Sequence, residues 1–227
     1  MRPVDKGTAP NVYAHYQDAR VDLIDRLGNY CSYCERRVET HLAVEHILPQ
    51  SQNYTLRNSW ANFLLSCVHC NSSKGNKHVV LGNYYWPDRD NTLRAIEYVD
   101  GGLAQPHAGL TAGDQVRARD TIALTGLDKS PGNQDREPTA SDRRWLRRQQ
   151  TWQLAKELRA CLATEDTAVV RELIVKNAIA RGMFSIWWTV FAGDVDMRRR
   201  LREAFIGTHE ESFDISENPV PRVGGLL

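Results

Sequence analysis

"NFLLSCVHCNSSKGNK", residues 62–77, reads as a strand, a cysteine knuckle and a helix in immediate succession. Phe63 to Leu65 form a short apolar run, Cys67 and Cys70 make a Cys-x-x-Cys unit, and Gly75 supplies the helix stop. A second knuckle, "CSYC", stands upstream at Cys31 and Cys34, and "HLAVEHILPQ", residues 41–50, lies between the two. Its apolar residues read as another short strand, joined to the first by the polar loop "PQSQNYTLRNSWA". The order from Cys31 to Lys77 is therefore knuckle, strand, loop, strand, knuckle, helix. In a reducing compartment, paired knuckles hold zinc far more readily than they form disulfides, and four thiolates close a tetrahedral site. Cys31, Cys34, Cys67 and Cys70 are the expected ligands, with His41, His69 and His78 left outside a set that is already complete. Cys161, the remaining cysteine, falls in a helical segment and is expected to be a buried small apolar residue.

Glu45 and His46 are neighbours where a strand ends, and neighbours in a strand point to opposite faces, so both cannot be core. Asn62 begins the second strand and Asn71 directly follows Cys70. If zinc holds the knuckles together, the hairpin and the helix must pack closely, which brings Glu45, His46 and Asn71 into one cleft. Two hard oxygen donors beside an imidazole suit a magnesium-type cation and a base better than a second zinc. An anionic phosphodiester needs both charge neutralisation and an activated water, and such a cleft offers both.

The bulk composition sets limits. The chain has 227 residues, 41% hydrophobic and 25% charged, with a formal net charge of +1. That excludes a disordered or membrane-spanning class, and it lacks the basic excess of a protein that grips nucleic acid unaided. The segment "MRPVDKGTAP" has no apolar middle, so a cytoplasmic protein is the default. Val12 to Leu27 reads as an amphipathic helix stopped by Gly28. "LRAIEYV" and "LAQP" around "DGG" suggest a hairpin, and Thr111 with Asp114 suggests a capped helix ending near Gly126. Residues 128–142, "DKSPGNQDREPTASD", have linker composition. Beyond them, Trp145, Trp152, Ala155, Leu158 and Leu162 recur at helical spacing, "MFSIWWTVFA" reads as a buried helix, and Asp194 can cap a further one with Met197, Leu201 and Phe205 inward. "ENPVPRVGGLL" reads as a loose or partner-bound tail. "SDRRWLRRQQ" puts Arg143, Arg144, Arg147 and Arg148 on adjacent helical rows, a candidate phosphate-binding face. Asp88 and Asp90 could approach a metal, although Asx turns are the commoner use of such residues.

With these residues in place, "C-S-Y-C … E-H-I-L-P … N-F-L-L-S-C-V-H-C-N-S-S-K-G" resembles an HNH endonuclease of the ββα-metal superfamily in its zinc-stapled form. The resemblance covers roughly Cys31 to Lys77 and implies an α+β fold: a small ββα-metal core with a four-cysteine zinc site, followed by a mainly α-helical region. It implies His46 as general base, Glu45 and Asn71 as ligands of one catalytic magnesium or manganese ion, and Asn62 as the residue that orients the His46 ring. Lys74, one turn beyond Asn71, would meet a phosphate oxygen. Asn71 stands where the family's third letter is His, and an amide still offers a metal an oxygen. The products implied are a 5′-phosphate and a 3′-hydroxyl. The organisation expected is a nuclease domain at 1–92, a hairpin and helix extension at 93–127, a linker at 128–142 and a helical, partner-docking domain at 143–227.

"MRPV", "YCSYCE" and "YYWPDRDNT" further resemble the HNH nucleases encoded beside an ABC-type ATPase in bacterial anti-phage systems, notably the nuclease subunit of the Septu system. That resemblance implies an effector that cleaves DNA, with an ABC-type ATPase as partner and no membrane association. Two other readings stay open: a zinc-stapled adaptor for nucleic acid or protein, and a nuclease acting on RNA.

Overall fold

The computed structural model describes all 227 residues and is a mixed α+β structure in which a small hairpin is followed by helices. Strands β1 (Ala43–His46) and β2 (Phe63–Ser66) pair antiparallel, with Glu45 opposite Leu64 and His46 opposite Phe63. All four residues of β2 are buried, so the usual alternation is absent. The hairpin is covered on both faces, which selects a continuous apolar run. Helix α1 (Ala19–Leu27) packs against both strands through Leu23 and Leu27. Helix α2 (Val68–Lys74) begins inside the second knuckle, with Cys67 at its N-cap and Cys70 in its first turn, and stops at Gly75, where φ is +52°. α1 is shorter than the amphipathic pattern from Val12 implied. Val12 is fully exposed, while Tyr13 stacks on Trp60 and bonds Asp22, so side-chain partners draw this segment out of helical form.

A one-turn helix α3 (Thr92–Ala95) leads into a second hairpin, β3 (Ile96–Val99) with β4 (Leu103–Pro106). Helix α4 (Ala112–Thr125) is capped by Thr111 and closed by Gly126 in the left-handed region. Residues 128–142 contain neither helix nor strand. Helices α5 (Arg144–Thr164), α6 (Ala168–Arg181), α7 (Phe184–Val190) and α8 (Val195–Ala204) form the remainder. Asp194 caps α8 by accepting from Met197 N at 2.8 Å, and Met197, Leu201 and Phe205 are buried. No helix is long and apolar enough to cross a membrane.

The buried apolar residues fall into two main blocks, one around the hairpin and one among α5 to α8, with Tyr30 and Leu93 joining the helical block. The segments at either end of the sequence bind these blocks together. Arg2 donates to the carbonyls of Leu27, Phe205 and Ile206 and to Thr208 Oγ1. The segment 217–227, expected to be loose, is docked: Asn91 Nδ2 donates to Val220 O and Leu226 N donates to Asp90 Oδ1, both at 2.7 Å. Backbone groups that a sequence pattern leaves unpaired find buried side-chain partners here. Asp90 thus serves the backbone, accepting from Trp86 N and Leu226 N, and Asp88 pairs with Lys6 at 2.8 Å. Cys161 lies exposed on α5 and not in the core.

Candidate active site and metal centre

At one end of the hairpin the knuckles converge. The Sγ atoms of Cys31, Cys34, Cys67 and Cys70 all lie within 4.8 Å of one another, and every one of these residues is buried. A tetrahedron of ~2.3 Å zinc–sulfur bonds has edges of about 3.8 Å. The Cys34–Cys67 separation is 3.8 Å. The donor set therefore fits a closed, four-coordinate zinc site. Burial pushes the Cys34 and Cys70 thiols up, whereas hydrogen bonds from Cys31, Cys34 and Cys70 pull the Cys67 thiol far down. Four thiolates cannot share so small a space without a cation.

Arg144 supports this cluster from the helical region. Its Nη1 lies 2.9 Å from Cys70 Sγ and 2.9 Å from Thr125 O, while Nε and Nη2 hold Asp142 at 2.8 and 2.7 Å. A buried guanidinium whose donors are all used cannot also bind phosphate. The expected arginine face is split accordingly. Arg144 and Arg148 are buried and bond backbone carbonyls, and Arg143 and Arg147 are exposed.

The other end of the hairpin carries Glu45 and His46. The His46 ring packs edge-on against Tyr16 and Phe63, with centroids 4.7 and 5.4 Å away. Its Nε2 lies 2.8 Å from Arg57 O. A carbonyl only accepts, so Nε2 carries the proton and Nδ1 keeps the lone pair. Nδ1 has no partner within the protein and is not sealed from solvent. Burial holds the His46 pKa below the ordinary imidazole value, against the opposing bond to Arg57 O and with help from the Lys74 charge. The ring is therefore neutral, oriented and supplied with a free basic nitrogen.

Two sequence expectations are corrected at this end. Asn62 does not bond the His46 ring. Its Oδ1 accepts from Leu48 N at 2.8 Å and its Nδ2 donates to Leu48 O at 3.0 Å, while its backbone carbonyl accepts from Ile47 N. Asn62 staples the loop whose Arg57 carbonyl orients the ring, an indirect role. Lys74 does not face outward toward a phosphate. Only 1% of it is exposed, and its Nζ donates to His46 O at 2.6 Å and to Glu45 Oε1 at 2.8 Å. A lysine reaching back from the last turn of α2 can either meet solvent or pin the helix to β1, and here the Glu45 carboxylate decides for the second. Burial pushes the Glu45 carboxyl up from its usual range, and Lys74 opposes the shift. Asn71 is half-buried on α2, directly after the zinc-site Cys70, and its amide is bonded to no other residue.

Arg57 O, Tyr16 and Phe63 were not legible in the sequence as parts of this site. A backbone carbonyl has no residue signature, and the two aromatics read as core. The one usable signal was the long polar loop between the strands, which had to return its chain to the hairpin. Comparison with curated proteins returned no match for the chain. The segment built from the two knuckles, the hairpin and α2, residues 31–77, matches the family model of HNH endonuclease, a family of nucleases.

Proposed function

We propose that this protein is a metal-dependent endonuclease that hydrolyses DNA phosphodiester bonds with His46 as general base. The observation that carries the reading is the His46 ring, protonated on Nε2 by the Arg57 carbonyl contact and free at Nδ1, within the segment that matches the HNH endonuclease model. Nδ1 takes a proton from water, and an oriented neutral imidazole does this more readily than a mobile one. The oxygen–phosphorus bond forms as the bond to the 3′ oxygen breaks. The phosphate stays on the 5′ side, and the 3′ oxygen is protonated from solvent.

Glu45 and Asn71 are the residues that would hold a magnesium or manganese ion, and a carboxylate with an amide oxygen is the donor chemistry such hard cations take. Bound there, the ion would neutralise phosphate charge and stabilise the leaving oxygen. Lys74 Nζ takes Oε1 of Glu45, which favours the ionised carboxylate, and Oε2 is the oxygen left for a cation. In the cell, the reading extends to the effector of an anti-phage complex with an ABC-type ATPase. The resemblance of "MRPV", "YCSYCE" and "YYWPDRDNT" to Septu nucleases supports it, as does a net charge of +1 that leaves DNA grip to a partner. The helical region 143–227 is the proposed docking platform for that partner.

One observation favours a second reading. The Lys74–Glu45 pair is a complete buried ion pair, which a zinc-stapled adaptor without catalysis would also contain. Nicking of supercoiled plasmid with magnesium or manganese, with and without the ATPase, separates the two. The wild-type chain nicks and the His46→Ala chain does not. Equal nicking by both ends the base assignment, and nicking by neither under all conditions leaves the adaptor. RNA in place of plasmid tests the remaining substrate.

A further inference from the structure

The turn after the first knuckle meets the end of α6 in a tight backbone seam. Met183 N donates to Glu35 O at 2.8 Å, and Arg37 N donates to Arg181 O at 3.3 Å. Gly182 sits in this seam at φ +75°, and a Cβ there would collide with Glu35 O and Arg37 N. The seam fixes Arg36 and Arg37 beside Arg181, and α5 brings Arg147 to the same place. These four arginines line one cavity of about 280 Å³, together with Glu39 and Thr151. Glu39 is the one acid, and it pairs with Arg37 at 2.8 Å. Arg36, Arg147 and Arg181 make no salt bridge, and Arg36 Nε is buried without an acceptor. Arg36 stands against Cys67 and Cys34 of the thiol cluster, so the guanidiniums of this cavity left without an anionic partner are those of Arg147 and Arg181, and a bound anion supplies one.

The cavity adjoins a larger polar groove of about 750 Å³ that shares Arg147 and Arg181 and continues along α5 past Gln150 and Gln153. An anion in the arginine cavity thus has room to continue into this groove, where Lys156 stands with the carboxylates of Asp100 and Glu157 beyond the glutamines. The cavity is at the zinc end of the hairpin, since Arg36 follows Cys34 and His46 ends β1 at the other side. It is separate from the reacting centre.

We propose that the Arg36–Arg37–Arg147–Arg181 cavity binds phosphate, and that its ligand is the backbone of a nucleic acid away from the scissile bond. The choice of nucleic acid rests on the nuclease reading; the phosphate chemistry does not. The side chains of Arg147 and Arg181 are exposed and bond nothing, so replacing them leaves the fold intact. The test uses the full chain with its zinc and no added divalent cation, so binding is read without cleavage. Fluorescence anisotropy follows a labelled 20-base-pair duplex across a salt series, and calorimetry follows inorganic pyrophosphate. Arg147→Gln/Arg181→Gln weakens duplex binding about ten-fold and makes the salt slope shallower by about 2, one for each guanidinium removed. Arg119→Gln, which removes an exposed arginine of α4, leaves both nearly unchanged. If the double variant loses pyrophosphate binding but keeps duplex affinity, the phosphate site stands and its ligand is a free phosphate compound. If neither ligand distinguishes the double variant from wild type, or Arg119→Gln has the same effect, the site is overturned. Because nicking is not read, this result is independent of whether His46 is a base.

Discussion

The two ends of the β1–β2 hairpin use the same scaffold for opposite purposes. At the zinc end, every functional atom is committed: four thiols face one another, and Arg144 closes on Cys70 from another element. At the other end, a key atom is left open. His46 Nδ1, the atom the general-base reading needs, has no partner within the protein. A closed coordination set supplies folding free energy, and an open one keeps a position for substrate. The hairpin spans only four residues per strand, roughly 13 Å, so rigidity made at one end is delivered at the other.

This contrast can be broken most severely at the zinc end. Cys31→Ser or Cys70→Ser, or a strong chelator, should empty the site and unfold residues 31–77, because structural zinc contributes on the order of 10–16 kcal/mol. Metal analysis together with circular dichroism checks this, and an unchanged melting curve in a metal-free chain would show that the thiols are not structural. His46→Ala should instead spare zinc content and melting temperature while lowering the nicking rate by about 10²- to 10⁴-fold. A variant that loses zinc as well as activity would mean that the two ends are not separable.

Lys74→Met tests the junction between the ends. It strands the Glu45 carboxylate in a site where both partners are at most 5% exposed, and should cost about 3–5 kcal/mol. Adding Glu45→Gln should recover most of that loss in a urea titration, and no recovery would place the cost in packing of the lysine stem. The smallest effect belongs to the helical region. Thr167 Oγ1 accepts from Val170 N at 3.2 Å to cap α6, so Thr167→Ala should cost about 1 kcal/mol, or about 2–4 °C in melting temperature. It should leave zinc content and nicking alone, and a change in either would tie the α6 start to the hairpin.

The legible parts were those with local causes. Paired knuckles, the apolar run of β2, the Gly75 stop and the Thr111 and Asp194 caps depend on residues close in sequence, and each lies where its spacing implied. The illegible parts had long-range causes. Lys74 reads as a surface lysine until Glu45 is brought beneath it, 29 positions away in sequence. Asn62 reads as a candidate for the ring until the loop it staples is seen to present Arg57 O instead. Arg144 reads as one of four equivalent arginines until Asp142, Thr125 and Cys70 surround it. Its bond to Cys70 also means that removing residues 143–227 strips a partner from the zinc cluster as well as a docking surface.

By itself, the sequence determined the four-cysteine set that fits zinc, the strand–knuckle–helix order and the presence of an acid and an imidazole at a strand end, because cysteine spacing and apolar period are local properties. Only the tertiary structure decided which nitrogen of His46 is basic, what Lys74 and Asn62 touch, and which arginines stay free for an anion. Those outcomes depend on which polar groups burial leaves without water, and a buried donor or acceptor takes whatever partner the packed chain brings to it.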